Sequence, residues 1–256
     1  MKPIIITLLF VFLIFPISNA QNAREIIKKS SDAIYLESME MTLTLKIFDS
    51  KGNVRERKVT NTSKKFGETI KTKILFLSPA DVAGTSMIIY DYEKKDDDMW
   101  IYLPSMRNTR RIVSSDKGKN FMGSEFANSD LSKPDPDDFT YRILESKKID
   151  ENECWQIESV CLNDEIEKEH GYNKSISFLE KTHFLPLLIH YYDAKGILLK
   201  TMTFRDYKPT AMGKYFAFGM EKKNVRNGRK SEMRVDDFKP GARLKESDFS
   251  ITSLAR

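Results

Sequence analysis

Residues that could catalyse a reaction or bind a metal are few in this chain of 256 amino acids. It contains three histidines (His170, His183 and His190) and two cysteines, and their spacing matches no zinc-binding motif. Only 11 glycines are present, and none belongs to a phosphate-binding loop motif. We therefore predict no metal site and no cofactor.

An esterase that pairs Ser124 or another serine with a distant histidine is the enzymatic alternative, because the residues of such a site need not be neighbours in sequence. The Gly-x-Ser-x-Gly motif that positions the nucleophile of many hydrolases is missing. The acidic clusters Asp96–Asp98 and Asp135–Asp138 lack the spacing of a calcium-binding loop, so we interpret them as solvated turns. The sequence favours a protein without catalytic activity.

The two cysteines, Cys154 and Cys161, lie seven residues apart in one predicted strand. This separation puts them on opposite faces, and an extended strand would hold them about 20 Å apart. A disulfide requires two Cα atoms within about 7 Å of each other. We therefore predict two free thiols, although the front of the chain indicates export to an oxidising compartment.

The front of the chain has the features of a secretion signal. Lys2 precedes the apolar run Ile4–Phe15, and Ser18-Asn19-Ala20 provides a small-residue cleavage site. The run spans about 20 Å as a helix, short of the ~30 Å bilayer core. We predict cleavage after Ala20 and a soluble periplasmic protein, and the alternative is an uncleaved anchor. The net charge of +5 is too small to indicate a nucleic-acid partner.

One helix and many strands must position any binding site. Asn22–Tyr35 places apolar residues at helical spacing, and from Met39 to Ile47 the period changes to two, which predicts a half-buried strand. The turn Asp49–Asn53 then joins this strand to Val54–Ser63 in a hairpin. Further strands are predicted over Thr69–Leu77, Ser86–Tyr92, Met99–Leu103, Thr109–Val113, Phe139–Ser146, Cys154–Leu162, Lys174–Glu180, Leu187–Asp193, Ile197–Tyr207, Tyr215–Val225 and Lys230–Phe238.

Short turns between these strands indicate an antiparallel meander. Asp193–Gly196 and Asn227–Gly228 are the clearest examples. We predict a single domain over residues 21–256, in which a large curved sheet or partly closed barrel has its concave side covered by the helix. Ser114–Asp138 is interpreted as a long loop, and loops of this length are usually functional or disordered.

Three segments in the middle of the chain carry a family resemblance. They are FLSPADVAGTSM at Phe76–Met87, DDDMWIYLPSMRNTRRI at Asp96–Ile112 and NFMGSEF at Asn120–Phe126. Their succession resembles the outer-membrane lipoprotein-sorting family, the relatives of the periplasmic carrier LolA. Many members carry Gly-Ser-Asp in the third segment, whereas this chain has Gly123-Ser124-Glu125, which leaves the role of that loop open.

The resemblance implies a LolA-like fold, in which an incomplete antiparallel β-barrel wraps a hydrophobic cavity and a helix acts as a plug. The implied function is non-enzymatic carriage of lipid or lipoprotein acyl chains across the periplasm towards the outer membrane. Relatives in this branch are associated with RND-type exporters of the inner membrane, which suggests a partner. A lipid-acting hydrolase and a structural envelope protein are the alternatives.

Candidate site residues fall into three groups. A soft apolar stripe suits acyl chains, because lipids are bound by shape-tolerant contact. The predicted cavity-lining residues are Met39, Met41, Leu43, Leu45, Ile47, Ile88, Tyr90, Trp100, Tyr102, Phe178, Leu188 and Tyr192. The predicted basic rim for lipid phosphates or an anionic exporter surface is Arg107, Arg110 and Arg111; a solvated basic turn is the alternative. The predicted lid loop carries Phe121, Met122 and Phe126, which either tuck into the cavity mouth or dock on a membrane or partner surface.

Overall fold

The computed structural model describes residues 17–93 and 95–255. Its helices are α1 (Ile17–Ile34), α2 (Ser114–Lys117) and α3 (Asp164–His170). Its strands are β1 (Ser38–Phe48), β2 (Val54–Phe66), β3 (Thr69–Ser78), β4 (Ser86–Tyr92), β5 (Asp98–Leu103), β6 (Asn108–Ile112), β7 (Phe139–Ile143), β8 (Lys147–Ile149), β9 (Asn152–Cys161), β10 (Lys174–Glu180), β11 (Pro186–Tyr192), β12 (Leu198–Pro209), β13 (Tyr215–Asn224) and β14 (Lys230–Pro240).

The predicted signal peptide, Met1–Ala20, lies mostly outside the described residues, and its predicted cleavage site falls in the first turn of α1. In the described part of the chain, no helix is both long and apolar enough to cross a bilayer.

One antiparallel sheet contains all of these strands. Its order is β6-β5-β4-β3-β2-β1-β14-β13-β12-β11-β10-β9-β7, with β8 paired to β9. Because β1 pairs with both β2 and β14, strands from the two ends of the chain meet in the middle of the sheet. The predicted mainly β architecture with an N-terminal helix is confirmed, and the sheet stays open, with β6 and β7 at its edges.

The predicted meander is also confirmed, because the turns at Asp193–Gly196 and Asn227–Gly228 join the paired strands β11–β12 and β13–β14. Three short elements escaped prediction, namely α2, β8 and α3. Helix α3 does have sequence signals at both ends. The side chain of Asn163 accepts hydrogen bonds from the first turn, and Gly171 ends the helix at a φ of 76°.

Strand register defines the concave face of the sheet. Residues directly opposite in an antiparallel pair point to the same side. Leu43 of β1 lies opposite Val59 on one side and Val235 on the other, so these residues share a face. Successive pairs of opposite residues on β14, β13, β12, β11 and β10 belong to the same face, which extends to Ile157 of β9. The β1 stripe from Met39 to Ile47 therefore lies on the concave side.

The convex face of β3 and β4 is covered by the C-terminal segment, residues 241–255. The hydroxyl of Tyr90 donates to the carbonyl oxygen of Phe249 at 2.7 Å, and that of Ser86 donates to the carbonyl oxygen of Leu254 at 2.6 Å. Phe249 and Leu254 are themselves fully buried. This part of the sheet thus has an apolar core on each side.

The predicted inward orientation was wrong for seven of the candidate cavity residues. Strand register places them all on the convex face: Ile88, Tyr90, Trp100, Tyr102, Phe178, Leu188 and Tyr192. Residues 86–92 have apolar side chains on both faces because the C-terminal segment covers the second face, and Trp100 of β5 packs there against Tyr90, so alternation alone does not distinguish the two faces. His190 shares the convex face, opposite Ile176.

The concave face of β1–β6 is covered by the segment 114–138. The sequence predicts a long loop here. The segment folds into α2 and three short 3-10 turns, at Phe121–Gly123, Asn128–Leu131 and Pro136–Asp138. Phe121 and Phe126 are buried in the main core, and the ring of Phe121 lies 5.7 Å from that of Phe76. The segment is an ordered part of the core.

Helix α1 covers the other half of the concave face. Ala23 and Ile26 pack against Ile157 of β9 and Leu179 of β10. The helix begins at Ile17, five residues before the predicted start at Asn22, and ends at Ile34.

Both cysteines lie in β9 and are buried and free, which confirms the prediction of two thiols. Cys161 lies opposite Phe139, and burial raises the pKa of its thiol to about 12.

The convex core predicts a specific loss of stability. Replacing Phe249 by alanine should lower the free energy of unfolding by about 3–5 kcal/mol, because a fully buried ring leaves a cavity. Ile251→Ala, in the same segment but 38 % exposed, should cost less than about 1 kcal/mol. Urea unfolding of both variants tests this, and equal losses would contradict the assigned role of Phe249.

Candidate functional site

A cavity of about 450 Å³ lies between α1 and the concave face of β9–β13. Ile27 and Ile34 of the helix form one wall. The opposite wall consists of apolar side chains from four strands, namely Leu179, Ile189, Tyr191, Met202, Phe204 and Met220. The volume falls within the range of about 300–1,000 Å³ that is typical of small-molecule sites.

Small hydroxyl side chains create the space beneath the helix. Ser175 and Ser177 are the concave residues of β10, and Ser159 lies directly opposite Ser175 on β9. All three are buried. On the same strand the large residues Ile176 and Phe178 point to the convex side, so the strand has its small side chains towards the interior.

A second, polar cavity of about 280 Å³ adjoins the first and shares Tyr35, Lys133 and His170 with it. We call it the acidic mouth, because nine carboxylates line it. These are Asp32, Glu68, Asp91, Glu93, Asp96, Asp97, Asp135, Asp138 and Glu169. They outnumber the lysines there, which are Lys65, Lys95, Lys117 and Lys133.

Burial makes several acids of the mouth weaker than usual. Burial, together with nearby Asp97, raises the pKa of Asp91 to about 6, even though Asp91 accepts a hydrogen bond from the backbone N–H of Lys133 at 3.0 Å. The pKa values of Asp97 and Asp138 are also raised, chiefly by burial. Nε2 of His170 lies 3.5 Å from the Asp138 carboxylate and opposes that rise. The charge of the mouth therefore depends on pH below neutrality.

Buried ion pairs fix the covering segment 114–138 to the sheet. Lys222 of β13 donates to both carboxylate oxygens of Asp130 at 2.6 and 2.8 Å. Glu125, only 1 % exposed, lies 3.0 Å from Arg229 and 3.3 Å from Lys200. Each of these two buried carboxylates therefore has a cationic partner, which offsets the cost of removing its charge from water.

The remaining predicted site residues do not line the cavity. The β1 stripe lies on the concave face but is covered by the segment 114–138, and Met122 of that segment packs against the main core. Of the predicted basic rim, Arg110 lies opposite Ile101 and Arg111 opposite Trp100, so they point to different faces. Arg111 forms an ion pair with Asp98.

Ser124, the candidate nucleophile of the enzymatic alternative, is fully buried. Its hydroxyl donates to the carbonyl oxygen of Phe121 at 2.7 Å. This contact gives the side chain a structural role in the turn Phe121–Gly123.

Sequence reasoning missed the serine-lined wall and the acidic mouth. The alternation Ser175-Ile176-Ser177-Phe178 was available as a signal. In a filled core the large residues of such an alternation point inward, which is why the sequence predicts Phe178 on the inner face. A wall that faces a cavity has its small residues there instead. The mouth draws on separate parts of the chain, so no local pattern revealed it.

Known proteins share this architecture. A family model with the description "-like: Uncharacterized protein" matches residues 68–256. An outer membrane lipoprotein-sorting protein domain from Vibrio parahaemolyticus superposes with a TM-score of 0.86 at 29% identity, over 93% of this chain and 100% of that one. The chain belongs to the family that this model describes, and it resembles outer membrane lipoprotein-sorting proteins in sequence and fold.

Two further solved structures resemble this family member. A DUF1329 family protein from Desulfovibrio piger has a TM-score of 0.85 at 25% identity, covering 92% of this chain and 99% of that one. A LolA superfamily protein from Nitrosomonas europaea has a TM-score of 0.71 at 17% identity, covering 90% and 98%. The predicted LolA-like fold is thus confirmed. No curated protein matches the sequence.

The raised pKa of Asp91 predicts how stability depends on pH. Between an ordinary value near 4 and the folded value of about 6, the folded protein holds a proton that the unfolded chain has lost. The contribution of Asp91 to the free energy of unfolding therefore falls as pH rises through this window. In Asp91→Asn that fall should be smaller by about 1–2 kcal/mol between pH 4 and 7. Chemical denaturation measures it, with exposed Asp81→Asn as the control; identical pH profiles for Asp91→Asn and the wild type would contradict it.

The ion pair of Lys222 predicts a local effect. Lys222→Met leaves the Asp130 carboxylate without its partner, which should destabilise the fold by about 3–5 kcal/mol. Hydrogen exchange should accelerate first in residues 119–131, which this contact holds to the sheet. Lys223→Met, a change at the neighbouring position on the other face, is the matched control and should leave exchange unchanged. Equal protection in both variants would contradict the anchoring role.

Proposed function

We propose that this protein is a non-catalytic periplasmic carrier that binds the acyl chain of a lipid or lipoprotein in the cavity beneath α1. The cavity itself is the observation that carries the proposal. Its apolar walls offer contacts without directional requirements, as acyl chains need. The lipoprotein-sorting relative from Vibrio parahaemolyticus supports the same role.

The energetic reason for carriage is the cost of exposing hydrocarbon to water. Each CH2 group contributes about 0.8 kcal/mol when it leaves water, so a chain of about twelve such groups gains on the order of 10 kcal/mol. The serines in the wall do not oppose this gain strongly, because their hydroxyls can bond locally within the protein. The acidic mouth beside the cavity leaves a polar place for the head of the cargo.

The route across the envelope is part of the same proposal. Export with cleavage after Ala20 would release the carrier into the periplasm, and the outer membrane would receive the cargo. The resemblance to the exporter-associated branch makes an RND-type protein of the inner membrane the candidate donor. This partner is proposed on family resemblance alone.

Filling the cavity tests the proposal. In Ser177→Phe, a ring enters the space beneath α1, and the affinity for a fluorescent fatty acid should fall at least about tenfold, a loss of about 1.4 kcal/mol. Burial of the new ring in an existing cavity should leave the thermal unfolding midpoint unchanged or higher. Ile176→Phe puts the same ring on the convex face of the same strand and is the matched control.

Native mass spectrometry of the protein from cells should show a copurifying lipid in the wild type and in Ile176→Phe, and less in Ser177→Phe. Undiminished binding by a correctly folded Ser177→Phe variant would exclude this cavity as the acyl site. Release of free fatty acid by the wild type would favour the hydrolase instead.

A further inference from the structure

Five hairpin turns lie at the same ends of their strands, and each has one exposed apolar side chain. The turns follow β1, β3, β5, β11 and β13, and the apolar residues are Val54, Leu77, Met106, Ile197 and Val225. All five are between 45 and 64 % exposed. We call these turns with their apolar residues the hairpin edge. The other large exposed apolar residues of the described chain are Leu162, which follows β9 at the same end of the sheet, and Val113, Met212 and Ile251, which lie elsewhere.

Strand order places the five turns side by side at one end of the sheet, from β5 to β12. Direct contacts link two pairs of them. Arg226 in the β13–β14 turn forms an ion pair at 2.7 Å with Asp193 of the β11–β12 turn. In the β3–β4 and β5–β6 turns, a Cβ built on Gly84 would meet the ring of Pro104 at 3.2 Å.

The hairpin edge is positively charged. Within the described residues, four of its cations have no ion-pair partner, and these are Lys51, Arg55, Arg107 and Lys195. The Asp49 carboxylate accepts hydrogen bonds from the Asn53 side chain and from backbone N–H groups of its own turn, which lower its pKa. The Asp193 carboxylate accepts backbone N–H groups of its own turn, which lower its pKa as well. Asp81 is the only other acid in the five turns. Free cations thus accompany the exposed apolar side chains.

The acidic mouth begins at the far ends of two strands of the edge. It is lined by Ile70 and Tyr92, which are at the opposite ends of β3 and β4 from the turn that joins these strands. The acidic helix α3 lies in the connection between β9 and β10, next to the β11–β12 turn, so the positive edge ends at that turn. Charge therefore changes sign along β3 and β4, which orients the protein in the field of a charged surface.

We propose that the hairpin edge docks on the surface of an anionic lipid bilayer. Exposed apolar side chains at turn tips can enter the headgroup region, and Lys or Arg side chains beside them are attracted to anionic lipids. A protein partner would also be attracted to cations, but apolar contacts distributed over five separate tips suit a broad, deformable surface better than a pocket. Docking goes beyond the proposed carriage and does not depend on it.

Vesicle flotation tests the docking surface with the full chain. The wild type should float with vesicles of phosphatidylcholine and phosphatidylglycerol (70:30), less with phosphatidylcholine alone, and less as salt is added. The edge variant Val54→Ser, Leu77→Ser, Met106→Ser, Ile197→Ser, Val225→Ser should partition at least about tenfold more weakly. The charge variant Lys51→Gln, Arg55→Gln, Arg107→Gln, Lys195→Gln should lose both the lipid and the salt dependence.

The matched control replaces the exposed apolar residues that lie away from this end of the sheet, Val113→Ser, Met212→Ser and Ile251→Ser, and should float like the wild type. Circular dichroism and uptake of the fluorescent fatty acid verify that every variant is folded. Docking is overturned if the wild type fails to float with anionic vesicles, or if the control loses as much as the edge variant. A wild type that floats but takes up no fatty acid would refute the carrier and leave docking intact.

Discussion

The concave face of the sheet is too wide for a single element to cover, and the rest of the structure depends on how this face is kept from water. A curved sheet of fourteen strands presents far more apolar surface than the 18-residue helix α1 can bury. The chain solves this with two covers. The segment 114–138 fills the concave side of β1–β6, and α1 lies over β7, β9 and β10.

The two covers are held by different forces. Buried carboxylates at Glu125 and Asp130 tie the segment to cations of the sheet, and removing one partner of such a pair is strongly destabilising. Helix α1 is held by apolar contacts and by exposed ion pairs such as that of Arg24 with Asp137, which contribute little. The cavity is bounded by α1 and by residues 129–134 of the segment, and α1 is the cover that can be displaced at the lowest cost to admit a bulky cargo.

Acidic and basic side chains are also concentrated on different surfaces of the molecule. Acids with raised pKa values surround the mouth beside the cavity, whereas the hairpin edge has free cations and exposed apolar tips. A carrier of amphiphiles needs such a division, because the surface that meets a bilayer and the site that holds a polar head face different surroundings. Neither surface requires a catalytic group, and Ser124 is occupied within its own turn.

The sequence by itself determined the β-rich class, the hairpin turns, the N-terminal helix and the two free thiols. Each of these depends on residues close together in the chain: a period of two, a Gly-containing turn, or an odd separation within one strand. The tertiary structure alone decided which face of a strand points inward. In β4 both faces carry apolar residues, because residues from the distant C-terminus cover the convex one. In β10 the small side chains Ser175 and Ser177 face the interior, because the interior there is a cavity and not a filled core.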